Sequence, residues 1–314
     1  YASDDKQFLK QILPILTEHI DFCIKNLNEN GFIVPEKKNG AAVDWVFVDW
    51  GKLPDKNGEV SLLQILLWKA LKTTGAIYEE LSLCGEKYEK LADELKDKIN
   101  LAFWDKKRGA FVFAVNSGVK SQAVTCHANA FAILYGFANS AQKRAIIDNF
   151  KNDGISLSET PFMIQFVLET LFLNGQTQKG DDMLKNFWGG MVKAGATTFW
   201  ETYNEGETEE TATAMYARPF GRSHCHIWGA GPLYVIPRFY FGIRSENFGE
   251  SFVVSPVLSL VKNSSVKVPM KRGFLFVKVA NDSVSVFSSE LSGRLLLNDA
   301  AFEIKSGQNF TVKL

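Results

Sequence analysis

The chain lacks an excess of either charge: Lys plus Arg and Asp plus Glu number 35 each in 314 residues, for a formal net charge of zero. It also lacks a basic run or an Arg/Lys stripe, so the electrostatic footprint of a nucleic-acid binder is missing and a neutral ligand fits better. Nor does it hold an uninterrupted apolar run of membrane-spanning length. The most apolar stretch, Ala123 to Ala138, is broken by His127 and Asn129, and no membrane span is indicated. The opening residues "YASDDKQFLK" show neither a charged n-region nor an apolar h-region, so a secretory leader is expected to have been removed or never present. Cysteine is scarce: the four residues Cys23, Cys84, Cys126 and Cys225 lie far apart without metal-type spacing. They read as buried free thiols and leave the compartment open. Nothing calls for a metal or another cofactor, and the oligomeric state is not indicated.

What is present is apolar and aromatic material. A hydrophobic fraction of 46% and an aromatic fraction of 13%, with 25 Phe and 7 Trp, suit a large core with aromatic surface to spare for a ligand. The length predicts one large domain with an appendage, or two domains.

From residue 5 to about 242 the pattern is helical. Helices are expected over 5–27, 61–81, 87–103, 121–138, 141–150, 160–174, 177–188 and 223–241, bounded by signals such as Asp4-Asp5 and Asn30-Gly31. Segments 121–138, 160–174 and 223–241 are apolar nearly all round, whereas 87–103, 141–150 and 177–188 are charged on one face. A fully buried helix followed repeatedly by a half-buried one is what a double ring of helices produces. About eight helices make four hairpins. A closed ring of six needs more, so the ring is expected to be open or to have its first part outside this chain. Past Gly242-Ile243 the pattern turns to short alternating strands with Asn-Asp and Ser-Gly turns, as in "GFLFVKVAND" and "SVSVFSSE". The expected fold is therefore mainly α, of the (α/α)6-barrel type, over 1–243, followed by a small antiparallel β-sandwich over 244–314.

Unusual residues cluster in connections after helices. "FVDWGK" supplies Asp49 and Trp50, "GATTFWETYN" supplies Trp200, Glu201 and Tyr203, and "GRSHCHIWGAGP" supplies Arg222, His224, His226 and Trp228. In a helical double ring the loops at one end of the inner helices form the mouth of a pocket, where such groups converge. Indole faces beside carboxylates suit a neutral sugar, whose C–H face stacks while acids bond its hydroxyls or move protons. Asp49 also reads as a simple turn cap. Glu201 differs from Glu205, Glu207, Glu209 and Glu210, which read as a solvated run. Its aromatic neighbours are expected to desolvate it and raise its pKa toward the range of a general base. His224 and His226 bracket Cys225, but without a third ligand nearby a hydrogen-bonding His fits better than zinc. Trp68, Trp104 and Trp188 sit in helical patterns and read as packing.

Taken in order, "FVDW", "TPFMIQFVLETLFLNGQ", "FWGGMVKAGATTFWETYN", "SHCHIWGAGPLYVIPRFYFGI" and "VVSPVLSLVKNSSVKVPMKRGFLFVKV" resemble the catalytic barrel and C-terminal β domain of family 78 glycoside hydrolases, the bacterial α-L-rhamnosidases. The resemblance implies an (α/α)6 barrel and inverting hydrolysis of terminal α-L-rhamnosyl residues. Glu201 then matches the general base, His226 the sugar-binding His, and Asp49 with Trp50 the pair lining the pocket; Trp200, Tyr203 and Trp228 complete the expected substrate contacts. The family's general acid lies in an Arg-Asp-Glu segment upstream of the helix that opens this chain, and no such segment occurs here. The competing readings are a carbohydrate-binding or inactive rhamnosidase-like fragment, and another (α/α)6 glycosidase, which the helical pattern alone equally permits.

Overall fold

The computed structural model describes residues 5–35, 37–38, 41–42, 47–50, 53–54, 56–207 and 220–314. They form two compact units, Asp5–Gly229 and Ala230–Leu314.

Among the described residues of the first unit there are seven helices: α1 (Lys6–Lys25), α2 (Ser61–Glu80), α3 (Glu86–Phe103), α4 (Cys126–Leu134), α5 (Ser140–Lys151), α6 (Pro161–Leu173) and α7 (Thr177–Lys193). Helices α2, α4 and α6 pack on one another as an inner layer, while α1 and α3 lie against α2, and α7 against α6. The sequence explains the layering. In α4 seven consecutive residues, Cys126 to Ala132, are buried, as an inner helix requires. In α3 burial is confined to Tyr88, Ala92, Leu95, Ile99 and Phe103, a single stripe at helical spacing. Local signals set the ends. Asp5 caps α1, Asn139 and Gln142 close a capping box on α5, and Thr160 caps α6 with Pro161 in its first turn.

Two buried amides fasten the helices to extended chain. Asn129 of α4 brackets Phe111, accepting from its N–H and donating to its C=O at 2.9 Å each. Gln64 of α2 does the same to Ile33 at 2.8 Å each. Each amide meets both the N–H and the C=O of one residue, which satisfies groups that are costly to bury alone.

Two expected helices are shorter or broken. Instead of 121–138, only α4 is helical, because Phe113 N–H bonds Ala123 C=O at 2.9 Å and Thr125 bridges Ser156. Instead of one helix over 223–241, the chain forms a 3₁₀ turn (Ile227–Gly229), a single α-turn, α8 (Pro232–Val235), and a π-turn (Ile236–Tyr240). Pro232 and Pro237 lack the N–H a continuous helix needs. Trp104 lies in a two-residue strand, half-buried with its ring against Phe111, rather than in a helix.

The second unit holds two four-stranded sheets. From β1 (Arg244–Glu246), β2 (Ser251–Val254), β3 (Ser264–Pro269), β4 (Phe274–Val279), β5 (Ser283–Ser288), β6 (Ser292–Leu297), β7 (Ala300–Ile304) and β8 (Asn309–Lys313), the orders are β3-β4-β5-β8 and β7-β6-β2-β1. Pairing is antiparallel except between β2 and β6. Alternation fixes the buried faces: Leu275, Val277 and Val279 on β4, Val284 and Val286 on β5, Leu295 and Leu297 on β6. Gly293 lies against Phe252, where a Cβ would stand 2.3 Å from its carbonyl oxygen.

Candidate active site

Two extended segments pair to form a cradle for Glu201. Glu201 N–H donates to Ser223 C=O at 2.9 Å and His226 N–H to Phe199 C=O at 2.8 Å. Thr198 Oγ1 donates to His224 C=O. The pairing brings Ser223 N–H to Glu201 Oε2 at 2.9 Å, and Trp228 Nε1 donates to Glu201 C=O at 3.0 Å. Among the described residues nothing hydrogen-bonds Oε1. The carboxylate is thus oriented through one oxygen, with the other left to meet a water or a hydroxyl.

Along this extended segment Trp200, Thr202 and Tyr203 are buried while Glu201 is half-buried. Trp200, expected as a wall of the pocket, is 2% exposed, with His224 stacked on its indole at 4.6 Å and 16°. It supports the strand from beneath instead of offering a surface to a ligand. Two glycines permit this close packing. A Cβ at Gly190 would stand 2.3 Å from Tyr203 Oη, and one at Gly229 would stand 2.8 Å from Trp200 C=O. Trp188, buried as expected, donates to Gly229 C=O at 2.8 Å.

Beside Glu201 lies an aromatic stack. The Trp228 ring is 4.6 Å from His226 and 5.6 Å from Phe162, tilted by 33° and 26°. Phe162, on the first turn of α6, is 36% exposed.

Asp49 sits in a different setting from the one its sequence suggests. Its side chain is 0% exposed and surrounded by donors. Ser158 Oγ reaches Oδ2 at 2.6 Å, Thr160 Oγ1 lies 2.9 and 2.8 Å from the two oxygens, and Trp50 N–H reaches Oδ1 at 2.8 Å. His127 Nε2 faces Oδ2 at 3.1 Å, and its Nδ1 lies 3.1 Å from Thr125 Oγ1. Asp49 therefore holds four residues, Trp50, His127, Ser158 and Thr160, and is too deeply buried to line a pocket. The charge is felt nearby: burial first, then Asp49, push the Cys126 thiol well above its usual range. Trp50 is half-buried and lines a cavity of about 250 Å³ with Thr125, His127, Ser158 and Glu159.

Residues 158–162 join the two clusters. Ser158 and Thr160 bond Asp49, Glu159 C=O accepts from Tyr203 N–H at 3.0 Å, and Phe162 stacks on Trp228. None of these five residues was singled out from the sequence; the available signal was a Ser-Glu-Thr-Pro cap at the mouth end of an inner helix. Asp49 and Glu201 are brought into one framework through that cap.

The acidic loop is not uniformly solvated. Glu205 is exposed, and Glu209 and Glu210 lie outside the described residues. Glu207, expected to be solvated, makes a bidentate pair with Arg222 at 2.5 and 2.9 Å and accepts from Asn204 Nδ2 at 2.9 Å. The paired side chains are 6% and 14% exposed for Arg222 and Glu207. Burial works to raise the Glu207 carboxyl, but the hydrogen bonds from Arg222 and Asn204 outweigh it and hold the group below its ordinary value. A depressed carboxyl contributes stability that is present above its unfolded value, about 4.3, and lost as pH falls through the lower folded value. Glu207→Gln is expected to cost on the order of 2–3 kcal/mol in urea unfolding at pH 7, below the ~3–5 typical of a fully buried pair. The gap to the unsubstituted protein is expected to close below about pH 4; a gap that persists there contradicts the ion pair.

Among the described residues no three His, Cys, Asp or Glu side chains are grouped to hold a metal ion. All four cysteines are free. Only Cys126 is buried; Cys23 is half-buried, and Cys84 and Cys225 are exposed, contrary to the expectation of four buried thiols. No helix among the described residues is long and apolar enough to cross a membrane.

Residues 1–238 match the family described as the bacterial alpha-L-rhamnosidase 6 hairpin glycosidase domain. Among solved structures, a GH78 family rhamnosidase of Bacillus sp. GL1 is 20% identical with a TM-score of 0.77, over 95% of this chain and 32% of that one. A native α-L-rhamnosidase from Aspergillus terreus is 15% identical with a TM-score of 0.69, over 99% and 37%. A Klebsiella oxytoca rhamnosidase with rhamnose bound is 21% identical with a TM-score of 0.58, over 73% and 42%. At these identities the likeness is one of fold, and the chain spans less than half the length of each. No curated protein matches the chain.

Proposed function

Since this chain belongs to the bacterial α-L-rhamnosidase six-hairpin glycosidase family, we propose that it carries the sugar-recognising and water-activating part of an inverting α-L-rhamnosidase. The observation that supports this most is Glu201, with one oxygen held by Ser223 N–H and the His226–Trp228 stack beside it.

In this reading Glu201 is the general base. It takes a proton from the water that attacks the anomeric carbon, while a carboxylic acid on a segment upstream of Tyr1 protonates the departing oxygen from the opposite side. Inversion needs about 6.5–9.5 Å between the two carboxyl groups to admit the water. Trp228 and Trp50 offer ring faces to the sugar's C–H surface, and His226 bonds a hydroxyl. Tyr203, buried against Phe187 and Gly190, ties the segment that carries Glu201 to Glu159 through its N–H. Asp49 acts at one remove, holding Trp50 and Ser158 in place. The substrate is a terminal α-L-rhamnosyl residue, in keeping with the rhamnose bound to the Klebsiella relative.

Rhamnose binding tests the reading without requiring turnover. Titration followed by tryptophan fluorescence is expected to show saturable binding that Trp228→Ala and His226→Ala each weaken by about tenfold, the loss of roughly 1.4 kcal/mol of contact. Unchanged affinity in both variants would place the sugar elsewhere.

A further inference from the structure

The Glu207 carboxylate does more than pair with a charge. Its Oε1 accepts from Arg222 Nη2 and from Asn204 Nδ2, each at 2.9 Å. Its Oε2 accepts from Arg222 Nη1 at 2.5 Å and from Asn204 N–H at 3.2 Å. Both partners sit beside the base. Asn204 closes the extended segment that carries Glu201. Arg222 immediately precedes Ser223, whose N–H holds Glu201 Oε2 and whose C=O accepts from Glu201 N–H. One largely buried carboxylate therefore ties together the two segments that form the cradle.

Stability alone is a poor reason for such a pair, since apolar side chains of similar volume usually serve at least as well as an intact buried ion pair. The Arg222 side chain is 6% exposed, and its Nε is buried without an acceptor among the described residues, a further unmet group. What a guanidinium fork supplies is direction: two parallel bonds to one carboxylate fix an orientation that a point charge does not. Direction is what Glu201 needs. Among the described residues its side chain has one hydrogen bond, from Ser223 N–H, and a shift of about 1 Å in a reacting group can cost on the order of 10²-fold in rate.

We infer that Arg222 and Glu207 are positioning residues for the base. Their clamp fixes Ser223 N–H against Glu201 Oε2 and thereby sets the direction of the free oxygen. The inference rests on the reading of Glu201 as the general base and adds to it the groups that aim it.

Arg222→Lys keeps the charge and loses the fork. In residues 1–314, hydrogen exchange of the Ser223 amide, followed by NMR, is expected to quicken by about tenfold. In the protein that carries the upstream acid, the same substitution is expected to lower kcat on an aryl α-L-rhamnoside by ~10–100-fold and to leave rhamnose affinity within about twofold. Because the effect passes through Glu201, it is expected to vanish in the Glu201→Gln background. Glu207→Gln is expected to act in the same direction. Gln64→Ala, which removes the bracket on Ile33, is the control for lost stability, and its kcat is expected to stay within about twofold. Unchanged Ser223 exchange, or losses from Arg222→Lys and Glu201→Gln that multiply, overturns the positioning role alone. Near-normal kcat in Glu201→Gln overturns the base assignment and the positioning role with it.

Discussion

Glu201→Gln, in a protein that also carries the upstream acid, is expected to lower kcat on an aryl α-L-rhamnoside by about 10²–10⁴-fold. The amide can turn its oxygen toward Ser223 N–H, so the bond that orients the side chain is kept. The segment stays in place, because Glu201's own backbone is untouched: its N–H donates to Ser223 C=O and its C=O accepts from Trp228 Nε1. What is lost is the ability to take a proton from water. Rhamnose affinity is therefore expected to stay within about twofold, separating a chemical defect from a binding one. Glu205→Gln is the matched control, being exposed on the same loop; Glu207 is unsuitable because it anchors Arg222. Near-normal kcat in Glu201→Gln, with loss in the Glu205 variant, would assign the base to the wrong carboxylate.

The second large effect concerns the proton donor. Rhamnoside hydrolysis by residues 1–314 alone is expected to run about 10²–10⁴-fold slower than by a longer protein with the upstream Arg-Asp-Glu segment, since that is the usual contribution of general-acid help to a poor leaving group. Rhamnose binding is expected to be similar in both, because Trp228, His226 and Trp50 belong to the shorter chain. An activated aryl rhamnoside, whose leaving group departs without a proton, is expected to narrow the difference. Equal turnover of an unactivated rhamnoside by both would show that the acid lies within residues 1–314, and Glu159, which lines the cavity with Trp50, would be the first carboxylate to examine.

The inner and outer helices were legible because burial leaves its period in the sequence. The one-sided character expected of 87–103 is seen in α3, where Tyr88, Leu95 and Ile99 of the expected stripe are buried, its Leu91 and Ala102 are half-buried, and burial adds Ala92 and Phe103. In α2 burial follows no single stripe. An inner helix is covered on most sides, and Leu62, Ile65 and Trp68 are buried while Leu66 is 36% exposed. Segment 223–241 failed as a helix for a non-local reason. Its first residues pair with Phe199 and Glu201, and prolines interrupt the rest. That pairing is also what builds the site, so its strongest motif and its largest structural misreading coincide.

Residue types at the site were legible, but their partners were not. Asp49 stood out beside Trp50, yet its burial depends on Ser158 and Thr160, more than a hundred positions away. Glu207 looked like one acid among several because Arg222 meets it only after the chain returns. Trp200 and Trp228 are similar in sequence setting; the extended segment buries one against His224 and the 3₁₀ turn brings the other beside His226. Such distinctions arise from tertiary pairing, which a one-dimensional pattern does not carry.

Chemical rescue tests the role of Glu201 most directly. Azide is a small nucleophile that needs no base, so adding it to the Glu201→Gln form of the acid-containing protein is expected to restore turnover of an α-L-rhamnoside. Proton NMR of the product is expected to show the β-rhamnosyl azide, formed by attack on the face that water normally uses. An α-rhamnosyl azide, or no rescue in a variant that still binds rhamnose, would contradict the assignment of Glu201 as the base of an inverting hydrolysis.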